Sequence, residues 1–232
     1  MTQTDSGTYN FGPATGHLVT AAYSRVQIRR TELTAEHLTN AQLEVNLMQV
    51  EWANRGPLLW TVTLNTVTLS QAQQTVTAPF NTVMLLDAYI SIPNGDGTYS
   101  DRIITPFSRT EYASQPEKLS QGQPTSFWFN RQITPIIYLW PVPDGGGPYV
   151  LNYYTFTTIQ DATLAGALNA QIPTRWLDAY VAGLAYRLAR IYAPALEQVR
   201  GSDAASAFAV AKGQDTEGTP FAIQPTTDSY WR

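Results

Sequence analysis

The chain has 232 residues, no cysteine, a formal net charge of −4 and charged side chains at only 14% of its positions. The lack of cysteine excludes disulfides, thiolate metal sites and cysteine nucleophiles. A charged fraction this far below the roughly 25% of ordinary soluble domains indicates either a surface that largely faces other protein or a β-rich domain whose polar surface is Thr, Gln and Asn.

The N-terminal part predicts two helices. Residues 1–13 are polar and are expected to form a flexible arm, and residues 15–29 fit a first helix. Thr34 is placed to cap the start of a second helix, and Gly56 and the proline after it are placed to end it. Between these signals, apolar residues recur every three or four positions and predict one buried stripe: Leu38, Ala41, Val45, Met48 and Trp52.

The central part predicts about six β-strands, because the hydrophobic period changes to two and β-branched and aromatic residues become abundant. The predicted strands are residues 58–69, 82–92, 98–105, 125–130, 136–140 and 149–156. Turn signals at residues 93–97 predict a β-hairpin, and the Pro- and Gly-rich residues 141–147 predict a loose hairpin between the last two strands. Ser108 or Thr110 is placed to cap a short helical turn.

The helical period returns after residue 173 and predicts two more helices. The first spans residues 174–192, and its core stripe consists of Leu177, Val181 (or Tyr180), Leu184, Leu188 and Ile191. Gly183 and the alanines around it would let a neighbouring helix approach closely. Pro194 at N1 begins a last helix that reaches about residue 212.

This order predicts an α+β fold: a four-helix bundle of two N-terminal and two C-terminal helices, with an antiparallel β-sandwich or barrel inserted between the pairs, and an extended C-terminal tail. The predicted division is residues 1–56 for the N-terminal arm and helical pair, 57–160 for the inserted β-domain, 161–212 for the C-terminal helical pair and 213–232 for the tail. The two helical pairs must pack on each other to bury their stripes.

No residue pattern indicates catalysis, a metal site or a cofactor. His17 and His37 lie on different predicted helices, and no zinc-protease, EF-hand or P-loop motif occurs. Asn94, Asp96 and Asp101 resemble part of a calcium loop, but the closing glutamate is missing and a hairpin turn explains them better. No stretch approaches the ~18 apolar residues of a membrane span.

Two groups of residues leave more than one interpretation open. The aromatic residues of the β-region could form a carbohydrate platform or stack bases, although core packing and cross-strand pairs explain them more simply. They are Phe127, Trp128, Phe129, Tyr138, Trp140, Tyr149, Tyr153 and Tyr154. Arg25, Arg29 and Arg30 form the densest basic group; they could contact phosphates or pair with acidic residues of the same or a neighbouring subunit. No Lys/Arg run marks a surface for duplex DNA.

Motifs between residues 131 and 194 occur in a recognisable order. An apolar strand ends in a Pro-x-Pro turn (YLWPVPD, from Tyr138), and a Tyr-rich return strand follows (YVLNYY, from Tyr149). The sequence IPTRW, ending at Trp176, then opens a helix that contains GLAYRLA, from Gly183. In order and spacing these motifs resemble the head-to-tail adaptor family of short-tailed bacteriophages, the connector or tail tubular protein A-like proteins. The helical pair before the β-region also suits that family.

The resemblance implies a virion structural protein that is not an enzyme and needs no cofactor. It implies a homo-oligomeric ring, usually of twelve copies, in the virion neck between the portal protein and the tail nozzle, made in the host cytoplasm and without a membrane partner. DNA would pass through the lumen without specific binding, and the net acidity suits a lumen that does not hold phosphate. The alternative is a carbohydrate-binding or glycan-active tail component that uses the aromatic β-domain.

The resemblance also gives candidate contact residues. The C-terminal segment is where the family is expected to meet the portal, and aromatic residues are the commonest interface anchors. The candidate portal-binding residues are therefore Phe221, Tyr230, Trp231 and Arg232. Arg25, Arg29 and Arg30 are candidates for contacts between subunits or with the channel.

Overall fold

Helices lie at both ends of the chain and strands in its middle in the computed structural model, which describes residues 11–163 and 170–216. The helices are α1 (Thr15–Arg25), α2 (Ala35–Asn54), α3 (Arg109–Ser114), α4 (Leu177–Tyr192) and α5 (Glu197–Gln214). The strands are β1 (Val62–Thr68), β2 (Thr75–Thr77), β3 (Thr82–Pro93), β4 (Tyr99–Ile103), β5 (Thr105–Pro106), β6 (Gln121–Gly122), β7 (Ser126–Asn130), β8 (Ile136–Trp140), β9 (Val142–Pro143) and β10 (Val150–Thr157). This order confirms the predicted α+β fold, with a β-domain inserted between two helical pairs.

The ends of α2 follow the local signals in the sequence. The Thr34 hydroxyl accepts a hydrogen bond from the His37 backbone N–H at 3.4 Å, and His37 Nδ1 accepts one from the Thr34 N–H at 3.2 Å. This reciprocal pair satisfies backbone donors at the helix start. At the other end, Gly56 has a φ of +126°, which glycine adopts without the strain that a side chain would cause. Both predicted ends of the helix are confirmed.

The helix α4 is the centre of the bundle, because α1, α2 and α5 all pack on it. Leu184, Leu188 and the Trp52 side chain of α2 are buried in the same cluster. This packing of α2 on α4 confirms the prediction that the two helical pairs pack on each other. A Cβ at Gly183 would lie 2.6 Å from Met48 Sδ. The small residue therefore lets α2 cross close over α4.

The predicted apolar stripes are wrong near some helix ends. Ile191 was placed in the core stripe of α4, but its side chain is 47% exposed. Its neighbour Tyr192 takes the packed position and stacks on His37 with ring centroids 4.8 Å apart. Leu38, at the start of the α2 stripe, is also exposed. The period identifies a face of a helix, and only the neighbouring elements decide how far along the helix that face is covered.

Two four-stranded sheets form the β-domain, in the orders β1-β10-β3-β4 and β2-β8-β7-β5, and β6 pairs with β9. Side chains from both large sheets fill one core, including Ile90 and Leu151 of the first sheet and Leu139 of the second. The predicted hairpin at residues 93–97 is confirmed, because β3 and β4 pair antiparallel across it. The described strands outnumber the predicted ones because β2, β5, β6 and β9 are too short to show an alternating pattern.

The predicted hairpin at residues 141–147 is wrong. The strands on either side of it, β8 and β10, belong to different sheets. After β8, the short strand β9 pairs in parallel with β6, and β10 then enters the other sheet between β1 and β3.

Two local predictions near the ends of elements can also be compared with the structure. Residues 59–61 form a 3₁₀ turn, so the first strand begins at Val62 and not at residue 58. The predicted cap at Ser108 is confirmed, since its hydroxyl accepts the Glu111 N–H at 3.1 Å.

Leu188→Asp tests the buried interface at the centre of the bundle, where the Leu188 side chain has 0% exposure. We expect this variant to lose at least ~3 kcal/mol of unfolding free energy, because burying an unpaired charge costs several kcal/mol. Ile191→Asp on the same helix is the matched control and should lose less than ~1 kcal/mol. Urea unfolding followed by circular dichroism measures both. Wild-type stability in Leu188→Asp would contradict the packing described here.

Candidate functional site

The two histidines lie apart, and the contacts of His37 are local and structural. His37 caps α2 and lies edge-on to Tyr23, with ring centroids 5.5 Å apart, while His17 is exposed on α1. Within residues 11–163 and 170–216, no group of three or more His, Cys, Asp or Glu side chains is arranged to hold a metal ion. In the same ranges, no helix is both long and apolar enough to cross a membrane.

The acidic and amide side chains around residues 94–101 stabilise a hairpin. Asp96 Oδ1 accepts hydrogen bonds from the Thr98 hydroxyl at 2.5 Å and the Thr98 N–H at 2.9 Å, and these bonds hold the pKa of Asp96 below its ordinary value. Asn94 accepts a bond from the Ser100 hydroxyl, and Asp101 accepts one from Ser91 on the facing strand. The structure therefore uses these residues as turn and cross-strand partners.

The aromatic side chains of the β-domain lie against each other. Trp128 and Tyr138 are directly opposed on β7 and β8, with ring centroids 4.9 Å apart and planes 24° from parallel. Tyr112 of α3 contacts both rings, at 5.2 Å from Trp128 and 5.4 Å from Tyr138. Phe127, Tyr149 and Tyr153 are buried in the core. Packing within the domain therefore engages most of these rings, while Phe129 and Trp140 are partly exposed and Tyr154 is 38% exposed.

The basic group lies at the turn between α1 and α2. Arg25 Nη2 is 2.7 Å from Asp178 Oδ1, so this residue links α1 to the start of α4 within the chain. Arg29 and Arg30 are exposed in the turn itself. The structure separates the three arginines into one that is paired and two that face outward.

An ion-pair cluster fixes α2 on α4. Arg187 Nη2 of α4 lies 2.6 Å from Glu51, and its Nη1 lies 3.1 Å from Glu44. The two glutamates are two turns apart on α2. Burial acts to raise the pKa of Glu51, but hydrogen bonds from Arg187 and Arg55 outweigh it and hold that pKa below its ordinary value. These contacts border the buried stripe of α2, which includes Val45 and Met48, and the side of α2 opposite that stripe is turned outward.

That outward side of α2 is apolar. Leu43, Leu47 and Val50 are 57%, 46% and 54% exposed, respectively, and their spacing of four and three residues places them on one side of the helix. We call these three residues the α2 outer face. Their spacing is the same three-and-four spacing that marks the buried stripe, so periodicity alone does not tell the two faces apart. A helix that is apolar on two sides needs a neighbour on each.

A buried carboxylate anchors the end of α5. The side chain of Asp215 has 0% exposure; its Oδ1 pairs with Arg175 at 2.8 Å and its Oδ2 accepts the Leu59 N–H at 3.0 Å. Beside it, Lys212 Nζ donates to the Pro57 carbonyl at 2.7 Å. Both contacts join the end of α5 to the segment that leads into the β-domain. The predicted start of the tail at residue 213 is therefore wrong for Asp215, which belongs to the end of α5.

The residues predicted to contact the portal lie just beyond that anchor. Phe221, Tyr230, Trp231 and Arg232 are outside the described residues, which end at Thr216. What the structure does define is the position of the last described residues, next to the root of the β-domain.

Asp215→Ala tests the anchor. Removing the carboxylate leaves the Leu59 N–H without its acceptor, and we expect a loss of about 1–3 kcal/mol of unfolding free energy. Arg175 is partly exposed and can be hydrated, which limits the cost. The control is Asp203→Ala, whose carboxylate forms an exposed pair with Arg200 on the same helix; it should cost less than ~1 kcal/mol. Equal melting of the two variants would show that Asp215 anchors nothing.

Comparison with known proteins gives one family match. The model of the family described as SU10 adaptor protein matches residues 18–224, which is most of the 232-residue chain. No curated protein matches the chain.

Proposed function

Because the chain belongs to the SU10 adaptor protein family, a family of phage structural adaptors, we propose that it is a ring subunit joining the portal to the tail nozzle in the neck of a short-tailed phage. The family match over residues 18–224 is the observation that carries the proposal. It includes both helical pairs and the entire β-domain, so it concerns the whole architecture and not one motif. A structural role in the virion neck follows from the family. The ring, its specific partners among the neck proteins and its DNA channel are our extension of that role.

The composition of the chain supports a role in assembly. Charged side chains occupy only 14% of positions, and the α2 outer face presents three large apolar residues to its surroundings. Contiguous exposed apolar surface on a soluble protein commonly marks a site of contact with another protein. We propose a homo-oligomeric ring, of twelve copies as in the resembling family, in which part of this surface is covered.

The charge of the chain supports a channel that DNA can slide through. The formal net charge is −4, and a surface without a strong positive field gives duplex DNA no counterion-release gain on binding. In this proposal Arg25, Arg29 and Arg30 make contacts between subunits or line the channel. Of the three, Arg29 and Arg30 are the ones whose exposure leaves them accessible for such contacts.

The proposed division of labour follows the chain. Residues 1–56 and 161–212 form the bundle of the ring, residues 57–160 the inserted β-domain, and the segment after α5 the attachment to the portal. The anchor at Asp215 supports this last assignment, because it fixes where the segment leaves the fold. Phe221, Tyr230, Trp231 and Arg232 are the proposed portal contacts, since large aromatic residues dominate the energetics of protein interfaces.

Replacing Phe221, Tyr230 and Trp231 by alanine together tests the portal contact. We expect binding to portal rings from the same phage to weaken at least about tenfold, because loss of interface anchors costs more than ~1.4 kcal/mol. Fluorescence anisotropy or co-sedimentation with purified portal rings measures the effect. The chain length stays the same, and Asp215 is untouched.

The matched control replaces the polar residues Gln224, Thr226 and Thr227 of the same segment by alanine and should bind as the wild type does. Unchanged binding of the aromatic variant would place the attachment surface in the helical bundle. If wild-type protein fails to bind portal rings under any condition, the adaptor proposal itself is wrong.

A further inference from the structure

We propose that strand β4 of one copy of the chain pairs with strand β1 of the next copy, so that the first sheet of the β-domain continues from subunit to subunit around the ring. The inference rests on the proposed function, because it names the backbone groups by which neighbouring subunits of that ring meet. It depends on three properties of the two strands: their position in the sheet, the direction of their free hydrogen-bonding groups, and the register that those groups allow.

Both strands lie at the edges of the same sheet. Within the described residues, the order β1-β10-β3-β4 leaves β1 paired with β10 alone and β4 with β3 alone. All five residues of β4 are exposed, and so are four of the seven residues of β1. An edge strand presents unpaired backbone N–H and C=O groups to which another strand can bind. Charged residues and proline usually block such pairing, and β1 contains neither.

The hydrogen bonds of the β3–β4 hairpin show which backbone groups of β4 are free. At one end of the hairpin the Asn94 N–H donates to the Thr98 carbonyl, and at the other end the Ile104 N–H donates to the Ala88 carbonyl, each at 3.0 Å. Opposed residues of an antiparallel pair alternate between bonded and non-bonded pairs, so the even-numbered residues of β4 bond to β3. The residues whose N–H and C=O groups point away from the sheet are Tyr99, Asp101 and Ile103.

The same alternation identifies the free groups of β1. The Leu69 N–H donates to the Tyr149 carbonyl at 2.8 Å, and the register of β1 with β10 is unbroken from there back to Val62. The odd-numbered residues of β1 therefore bond to β10, and the even-numbered residues point their backbone groups outward. The outward-pointing residues after Val62 are Leu64, Thr66 and Thr68.

One antiparallel register joins all of these free groups and overlaps the whole of β4 with residues 64–68. In this register each opposed pair of outward-pointing residues would exchange two backbone hydrogen bonds. Strand addition of this kind gains its affinity mainly from main-chain hydrogen bonds. The opposed pairs are Ile103 with Leu64, Asp101 with Thr66, and Tyr99 with Thr68.

The side chains suit the same register. Across the sheet of one copy, Thr66 lies opposite Asn152, which lies opposite Tyr89, which lies opposite Ile103. Since opposed residues share a face of a sheet, the outward-pointing residues of both edges project from one face. Pairing would bring Ile103, which is 82% exposed, against Leu64, which is 48% exposed. Apolar cross-strand pairs of this kind stabilise a sheet.

β4 carries two charged residues, and neither would face a like charge. Asp101 accepts a hydrogen bond from the Ser91 hydroxyl of its own sheet, and the uncharged Thr66 would lie opposite it. Arg102 projects from the other face of the sheet, where Asn65 would lie opposite it. Its long side chain can keep the guanidinium in water while the stem packs on the neighbouring strand. The contact therefore adds no repulsion between like charges.

The strand directions favour a second copy as the occupant of each edge. Neighbouring strands of this sheet all run antiparallel, so β1 and β4 run in opposite directions. A neighbour in a ring keeps the same orientation relative to the ring axis, so its β1 lies antiparallel to β4, as the free groups require. Full pairing of β4 with itself about a two-fold axis would instead oppose the two copies of Asp101. The β4–β1 contact uses both edges of every copy, so it can close a ring, whereas an edge that pairs with itself ends at a dimer.

Disulfide crosslinking tests the register. The chain has no cysteine, so Tyr99→Cys combined with Thr68→Cys introduces one opposed pair. In the proposed contact their Cα atoms would lie about 5.5 Å apart, within the range of a disulfide. Inside one copy β10 and β3 separate the two positions by roughly 14 Å, too far for a bond. Protein assembled on portal rings from the same phage is oxidised and run on a non-reducing gel, and we expect a ladder of covalent multimers.

The register control combines Tyr99→Cys with Thr66→Cys, whose Cα atoms would lie roughly 9 Å apart between copies. It should give less than about a tenth of the multimers, because a disulfide does not span that distance. Equal ladders from both double variants would show unspecific collision. Dimers from Thr68→Cys alone would show a two-fold contact of β1, and a disulfide from either single variant to the portal would show another occupant. Each of these three results overturns the inference.

Thr66→Pro tests the hydrogen bonds across the contact. The Thr66 N–H points outward, and an edge strand accepts proline at such a position without losing a bond of its own ladder. We expect melting within about 5 °C of the matched variant Thr66→Ala, but at least a tenfold loss of ring formation on portal rings; Thr66→Ala keeps the N–H and should assemble as the wild type does. Unimpaired assembly of Thr66→Pro, or portal-bound rings without the Tyr99–Thr68 disulfide, would overturn the inference and leave the adaptor function intact. Failure of the wild type to assemble on portal rings would overturn both.

Discussion

The packing of Trp176 joins two helices of the bundle to the root of the β-domain. Its side chain is completely buried in the turn before α4. Its ring centroid lies 4.9 Å from that of Trp60 at the root of the β-domain, 5.3 Å from that of Trp52 on α2 and 5.4 Å from that of Phe208 on α5. Aromatic pairs at such distances add to the area they bury. Because one ring contacts all three elements, the direction in which the β-domain leaves the bundle depends on this cluster.

The same place collects the polar contacts at the end of α5. Asp215 holds Leu59, one residue before Trp60, and Arg175, one residue before Trp176. The Arg175 guanidinium also lies 5.9 Å from the centre of the Trp60 ring, within the range of a cation–π interaction. The segment that follows α5 therefore starts at the point that orients the β-domain. In a neck protein with one partner above and one below, binding of one partner to the segment after α5 would thereby be linked to the orientation of the β-domain.

Local signals in the sequence predicted the elements well, and distant contacts explain what they missed. Thr34 and Gly56 marked the ends of α2 because capping is decided by neighbouring residues. Residues 141–147 carried the signals of a hairpin, yet β8 and β10 pair with strands far away in the sequence. On α2, the sequence correctly predicted that Met48 is buried, but a second apolar stripe with the same helical spacing, which includes Leu47, remains exposed because no described element covers it. Asp215 looked like part of a polar tail because its partners are Arg175 and Leu59.

The two-sided character of α2 limits how the protein can exist outside an assembly. Its inner side completes the bundle, and its outer side keeps three large apolar residues in water, at a free-energy cost of roughly 25 cal/mol for each Å² of apolar surface. One such face is small, so two isolated copies gain little compared with the several kcal/mol of translational and rotational freedom they lose on association. In a closed ring, each copy makes two contacts but loses its translational and rotational freedom only once. In the proposed ring, a weak pairwise contact through this face would become stable only where many copies are held together.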